Sequence, residues 1–219
     1  MKKPFDLVVF DWEGTLADPL AHILSAIRMQ SEGMGLGFVD EEEARRNIVM
    51  GLEYTTKKLF PTLSLSQSER FLNGVQHALL SSSQSFALFP GVEQLLTSLS
   101  NAKVALGIAT NKSQASLARA IDQAGLAHFF AVTRAVGQAQ PKPSPQMLEE
   151  IMAFCDVSSD RTLMVGDSLI DIEMANGVGA MGIGIDFYYQ QADALKAAGA
   201  ACVFHDYESM GRYLDLPGY

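Results

Sequence analysis

Asp11 follows an apolar run, Leu7-Val8-Val9-Phe10, and is itself followed by Trp12-Glu13-Gly14-Thr15-Leu16. The stretch reads as a short buried strand that ends in a carboxylate, a glycine turn and a hydroxyl. In open parallel α/β sheets, ligands bind in the crevice beyond the carboxyl ends of the strands. Asp and Gly are also ordinary turn residues, so alone the segment reads equally well as a capped strand. Three later segments repeat the placement. Thr110 and Asn111 follow the run Lys103-Val104-Ala105-Leu106-Gly107-Ile108-Ala109. Lys142 stands in Gln140-Pro141-Lys142-Pro143-Ser144-Pro145, and an apolar run over 162–166 leads into Asp167-Ser168-Leu169-Ile170-Asp171. Singly, Thr110 reads as a helix-capping hydroxyl, Lys142 as a solvated loop cation, and Asp167 with Asp171 as acids at a helix start. In this order and at strand ends, they describe acids, a hydroxyl and an amine drawn to one crevice.

The elements that must position these groups alternate strand and helix from about residue 88 onward. Residues 103–109 read as a strand ending at Thr110, 113–124 as a helix stopped by Gly125, and 129–133 as a second strand. Ser144 reads as the cap of a helix to about Phe154, with Pro145 at its first position and Met147, Leu148 and Ile151 facing inward. Residues 162–166 read as a third strand and 170–175 as a short helix. Further strands are expected at 181–185 and 201–204, with helices near 191–198 and 207–214. This alternation implies a parallel sheet with helices on both faces. Residues 18–87 break the rhythm, with helices at 22–32, 41–49, 54–60 and 66–83 and no convincing strand between them. They read as a helical insertion, with hinges at 17–19 and 85–91, into a core made of 1–17 and 88–219.

Composition narrows the partners. The 219 residues are 48% hydrophobic and 19% charged, enough apolar content for a sizeable core and too much for a disordered chain. A net charge of −9 argues against nucleic acid, whose phosphates demand Lys/Arg patches. It would also repel a phosphorylated ligand, unless a metal ion and local cations invert the field at the site. Cys155 and Cys202 lie far apart with no zinc-ligand spacing, and read as reduced thiols. No stretch reaches the roughly 18 apolar residues of a membrane span, and Met1-Lys2-Lys3-Pro4 with Asp6 is too interrupted for a signal peptide. The expectation is a cytoplasmic protein.

Taken together, the four segments resemble the motifs of the haloacid dehalogenase superfamily, in particular its phosphoglycolate phosphatase-like members. Phe10-Asp11-Trp12-Glu13-Gly14-Thr15-Leu16 is similar to the family's Asp-x-Asp-Gly-Thr motif except at Glu13. Ala109-Thr110-Asn111-Lys112 resembles the second motif, the Pro-Lys-Pro loop the third, and Val165-Gly166-Asp167-Ser168-Leu169-Ile170-Asp171 the fourth. The resemblance spans essentially the whole chain. It implies an α/β fold with a Rossmann-like parallel sheet core and an inserted all-helical cap domain.

The resemblance further implies a Mg²⁺-dependent phosphatase for a small phosphorylated metabolite, working as a monomer or weak dimer. Asp11 would be the nucleophile, Glu13 the general acid and base, and Lys142 and Thr110 would help neutralise the phosphoryl charge. Gly14, Thr15, Thr110, Asn111 and Lys142 would bind the phosphate. Asp11, Asp167, Asp171 and the backbone carbonyl of Glu13 would serve the metal, with Asp171 in an outer position. Glu is one methylene longer than the family's Asp at residue 13, so a slowed enzyme is expected. Alternatives are a sugar-phosphate mutase of the same superfamily and a phosphometabolite-binding protein impaired by Glu13. A dehalogenase needs no metal and fits the Asp167/Asp171 pair poorly, and a phosphonate-cleaving relative would need Lys57 or Lys58 as a Schiff base. Trp12 reads as packing. His22, Arg45 and Arg46 are weaker candidates for touching a substrate.

Overall fold

The computed structural model describes residues 5–81 and 87–219. Six strands form one sheet: β1 (Leu7–Phe10), β2 (Ala105–Ser113), β3 (Val132–Val136), β4 (Thr162–Gly166), β5 (Met181–Ile185) and β6 (Cys202–Phe204). All pairings are parallel, in the order β3-β2-β1-β4-β5-β6. The winding direction reverses between β1 and β4, and it is at such a switch that a crevice opens beyond the strand ends. Phe10 pairs with Ile108 on one side and Val165 on the other. Asp11 and Asp167, just past β1 and β4, therefore leave the sheet at nearly one level, with Thr110 beside them still paired to Ala135.

The helices are α1 (Ala21–Met34), α2 (Glu41–Asn47), α3 (Leu52–Leu59), α4 (Leu65–Ser81), α5 (Val92–Asn101), α6 (Gln114–Gln123), α7 (Gln146–Cys155), α8 (Leu169–Val178), α9 (Ala192–Ala197) and α10 (Tyr207–Tyr213). Every residue of β1 is buried, as a central parallel strand requires. Leu7 and Val9 pack with Met147, Leu148 and Ile151 of α7 and Met174 and Ala175 of α8. Val8 and Phe10 point to the opposite face by strand alternation. There α5 lies against β2 and α10.

Several boundaries depart from the sequence reading. Residues 103–104 close α5 rather than begin β2: Lys103 takes φ 57°, and Lys103 N and Val104 N donate back to Ser100 O and Leu99 O. At its other end β2 runs on past Thr110 to Ser113, with a register shift against β3 between the two. The strand expected at 129–133 begins only at Val132, because residues 127–129 wind into a 3₁₀ turn. Pro145, not Ser144, is the N-cap of α7; its carbonyl accepts from Leu148 N and Glu149 N, while Ser144 N is turned back to Pro141 O. The short helix expected at 170–175 extends over Leu169–Val178 and ends at Gly179 in the left-handed conformation. The sequence reading passed over α5 altogether, although Leu95, Leu96 and Leu99 form its buried stripe.

The chain divides into two compact units. One holds Met1–Asp18, Leu88–Phe187 and Gln191–Tyr219; the other holds Pro19–Ala87 with Tyr188–Gln190. The second unit is helical, with Ala26, Ile27, Val39, Phe60, Phe71 and Val75 in its core. Its α1 stops at Gly35 in the left-handed conformation, and Asp40 caps α2 by accepting from Glu43 N at 3.0 Å. Residues 188–190 join it because Gln190 Nε2 donates to Arg46 O at 2.9 Å. The Arg45 and Arg46 guanidiniums also lie 5.9 and 4.5 Å from the Tyr188 and Tyr189 ring centres. The expected hinge at 85–91 and the last turn expected at 82–83 lie partly or wholly outside the described residues, as does Met1-Lys2-Lys3-Pro4. Among the described residues, no helix is long and apolar enough to cross a membrane.

Candidate active site

The site lies in the first unit, where β1, β2 and β4 end. Asp11 continues the line of β1, its amide donating to Val165 O at 2.9 Å. The chain then turns sharply: Leu16 N and Ala17 N both donate to Trp12 O, and Trp12 is fully buried as a packing residue. Gly14 sits at the bend with φ 80°, and a Cβ there would lie 2.1 Å from Asp167 Oδ2. Only glycine allows both that backbone and that approach. Thr15 Oγ1 donates to Asp167 Oδ1 at 3.4 Å, so the turn after β1 rests on the acid after β4. Gly166 plays the matching part beneath Asp171, where a Cβ would come within 2.3 Å of that side chain.

Lys142 is the electrostatic centre. Its Nζ lies 2.8 Å from Asp11 Oδ1 and 2.6 Å from Asp171 Oδ1, and the Lys142 and Asp171 side chains are 1% and 0% exposed. Burial pushes the ammonium's pKa down, but the charges of Asp11 and Asp171 outweigh it and leave the net shift upward. Asn111 fixes the loop that carries this lysine: its Nδ2 donates to Lys142 O at 3.2 Å and its Oδ1 accepts from Lys142 N at 2.8 Å. The Asn111 amide is thus engaged with the backbone of residue 142. Asp171 is fixed in turn by Ser168, whose N and Oγ donate to its Oδ2 at 3.1 and 2.6 Å. Thr110 is buried at the end of the regular part of β2, its hydroxyl accepting from Lys112 N at 3.3 Å.

The structure therefore gathers Asp11, Thr15, Lys142, Asp167 and Asp171, with Thr110 and Asn111 on the adjoining strand end. Glu13 is placed differently. Its carboxylate turns to Lys112, Oε1 to Nζ 2.5 Å, and its side chain is 56% exposed against 14% for the lysine. Lys112 was read only as the last residue of the second motif, and the structure brings it to Glu13. Ser168 was likewise read only as part of a motif.

The acids fit a divalent cation. Oxygen atoms of Asp11, Asp167 and Asp171 all lie within 4.8 Å of one another. Burial raises the pKa of Asp11, Lys142 offsetting this only in part, and burial plus the charges of Asp11 and Asp171 push Asp167 up to about 7. One lysine does not balance three clustered carboxyls. Although Asp11 Oδ1 is close to Lys142 Nζ, the contact has the distance of an ion pair without the angle of a hydrogen bond, and this buried oxygen has no hydrogen-bond donor. A hard cation with oxygen ligands, such as Mg²⁺, matches that donor set.

Comparison with known proteins agrees with this arrangement. The haloacid dehalogenase-like hydrolase profile matches residues 8–185. The phosphoglycolate phosphatase of Rhodospirillum rubrum is 26% identical over 96% of this chain and 91% of its own length. That of Mesorhizobium japonicum is 28% identical over 94% and 92%. Among solved structures, a Had-superfamily hydrolase from Ehrlichia chaffeensis shares the fold with a TM-score of 0.62 at 22% identity, covering 98% of each chain. CbbY from Rhodobacter sphaeroides, solved in complex with phosphate, does so with a TM-score of 0.61 at 23% identity, covering 97% of this chain and all of its own. With its profile match extending from β1 through β5, the chain belongs to the haloacid dehalogenase-like hydrolase family.

Proposed function

We propose that the protein is a Mg²⁺-dependent phosphatase that hydrolyses a small phosphorylated metabolite of the phosphoglycolate class through an aspartyl-phosphate at Asp11. The observation that carries this reading is the buried Asp11–Lys142–Asp171 array beside Asp167 at the mouth of the sheet. An Asp11 carboxylate oxygen attacks phosphorus, and the bond to the leaving oxygen breaks as Glu13 gives that oxygen a proton. Water, deprotonated by Glu13, then attacks the aspartyl-phosphate and restores Asp11. Lys142 neutralises charge between the carboxylate and the phosphoryl oxygens, which Thr110 and the Gly14–Thr15 turn also hydrogen-bond. Asp11, Asp167 and the carbonyl of Glu13, with Asp171 in an outer position, would hold Mg²⁺, which would supply Lewis-acid neutralisation of the phosphoryl group. The helical unit, Pro19–Ala87 with Tyr188–Gln190, acts as a cap that selects the leaving group, and the enzyme works in the cytoplasm as a monomer or weak dimer.

The names of the relatives support phosphoglycolate as the first substrate to try. The test is release of inorganic phosphate from a panel of phosphorylated metabolites with and without Mg²⁺. Turnover of at least one small phosphomonoester, lost without Mg²⁺ and lost in Asp11→Asn, is expected. Ligand-dependent thermal stabilisation with no phosphate release would favour a binding protein impaired at Glu13 instead.

A further inference from the structure

We propose that Tyr207, in the last helix, is a positioning residue of this site: its hydroxyl grips the Thr15 carbonyl and so holds the Gly14–Thr15 turn against Asp167. The inference rests on reading the acid cluster as the Mg²⁺ site. Tyr207 is 1% exposed, and its hydroxyl donates to Thr15 O at 2.7 Å across 192 residues of sequence. The ring is held from behind by a second aromatic layer. Phe187 meets it edge-on, centroids 5.3 Å apart at 72°, and Phe187 is stacked on Phe89 at 3.8 Å and 6°. Phe89 N in turn donates to Leu16 O at 3.0 Å. Two successive carbonyls of the turn, those of residues 15 and 16, are thus tied to this aromatic layer.

The turn has little slack on its other side. Thr15 Oγ1 touches Asp167, and Gly14 approaches the same carboxylate so closely that no Cβ fits. A shift of a few tenths of an ångström at residue 15 is therefore passed to Asp167. The Tyr207 hydroxyl is suited to the task, because burial first, and then the charges of Asp167 and Asp11, raise its pKa well above the ordinary value and keep it a donor. The matched family profile ends at residue 185, so this tie is made by sequence beyond it.

The variant Tyr207→Phe keeps the ring and removes only the donor. Mg²⁺ binding to the full-length protein, measured by calorimetry, should weaken about five- to tenfold, the loss of one well-placed hydrogen bond. Leu214→Val, a conservative core change just after the same helix, should lower the melting temperature comparably and leave the Mg²⁺ Kd within about twofold. Unchanged Mg²⁺ affinity in Tyr207→Phe, or equal weakening in Leu214→Val, would overturn the proposal. Absence of Mg²⁺ binding to the unaltered protein would overturn it together with the metal site. Mg²⁺ binding that weakens as expected, in a protein that releases no phosphate from any ester, would support the positioning role and sink the phosphatase reading alone.

Discussion

At the scale of single residues, the Glu13–Lys112 pair sets a magnitude question. A half-exposed ion pair is worth about 0.2–1 kcal/mol, at most about fivefold in rate if it must open before Glu13 can give its proton. General acid–base help is worth about 10²–10⁴-fold, and an error of about 1 Å can forfeit some 10² of it. The extra methylene, rather than the lysine, should therefore dominate any slowing. Glu13→Asp is expected to raise kcat on an aryl phosphate with a poor leaving group by about tenfold or more, whereas Lys112→Met should raise it by only about threefold. Steady-state kinetics on both single variants and the double variant decides the matter. Lys112→Met should do nothing further once residue 13 is Asp, since the shorter side chain no longer depends on that contact. No gain in Glu13→Asp would mean that the longer acid is already well placed. That residue 13 departs from the motif is plain from the sequence. The partner it finds is not, because Lys112 lies 99 residues away along the chain.

At the scale of elements, strands β1, β4 and β5 were legible to the residue, since each is a short apolar run bounded by turn residues and buried except at Met181, the first residue of β5. The misplaced boundaries lie where turn chemistry competes with an apolar pattern: the left-handed turn at Lys103, the 3₁₀ turn before β3, and the Pro-rich lead into α7. The register shift in β2 had no sequence signal, and within that stretch Asn111 bonds the backbone of Lys142. The structure thus gives Asn111 a second part beside the phosphate contact expected of it. Asn111→Ala removes both hydrogen bonds and frees the buried lysine's backbone. It should lower kcat about ten- to a hundredfold and cost about 1–3 kcal/mol in urea denaturation. A variant with unaltered kcat would show that the loop holds Lys142 unaided.

At the scale of the whole molecule, the helical insertion was visible as a break in strand–helix alternation, whereas the attachment of residues 188–190 to it was not, since nothing local marks it. The net charge of −9 likewise foretold a problem that the fold concentrates at one point, where three acids cluster and Lys142 pairs with two of them. That concentration makes stability depend on pH and metal together. Asp167 is pushed from 3.8 up to about 7, and Asp11 is raised as well. Between those values the folded chain keeps protons that the unfolded chain has released, so stability falls as pH rises from about 4 to about 7. Lys142, raised from 10.5, titrates well above this window and adds no slope within it. Mg²⁺ competes with protons for the same oxygens and stabilises the folded chain by mass action. Its effect should therefore be small at about pH 5 and large at about pH 8. Thermal unfolding across that range, with and without millimolar Mg²⁺, checks this directly. Asp167→Asn should flatten the metal-free slope and remove most of the Mg²⁺ response. A Mg²⁺-induced rise in melting temperature that is equal at both pH values would place the cation somewhere other than these carboxyls.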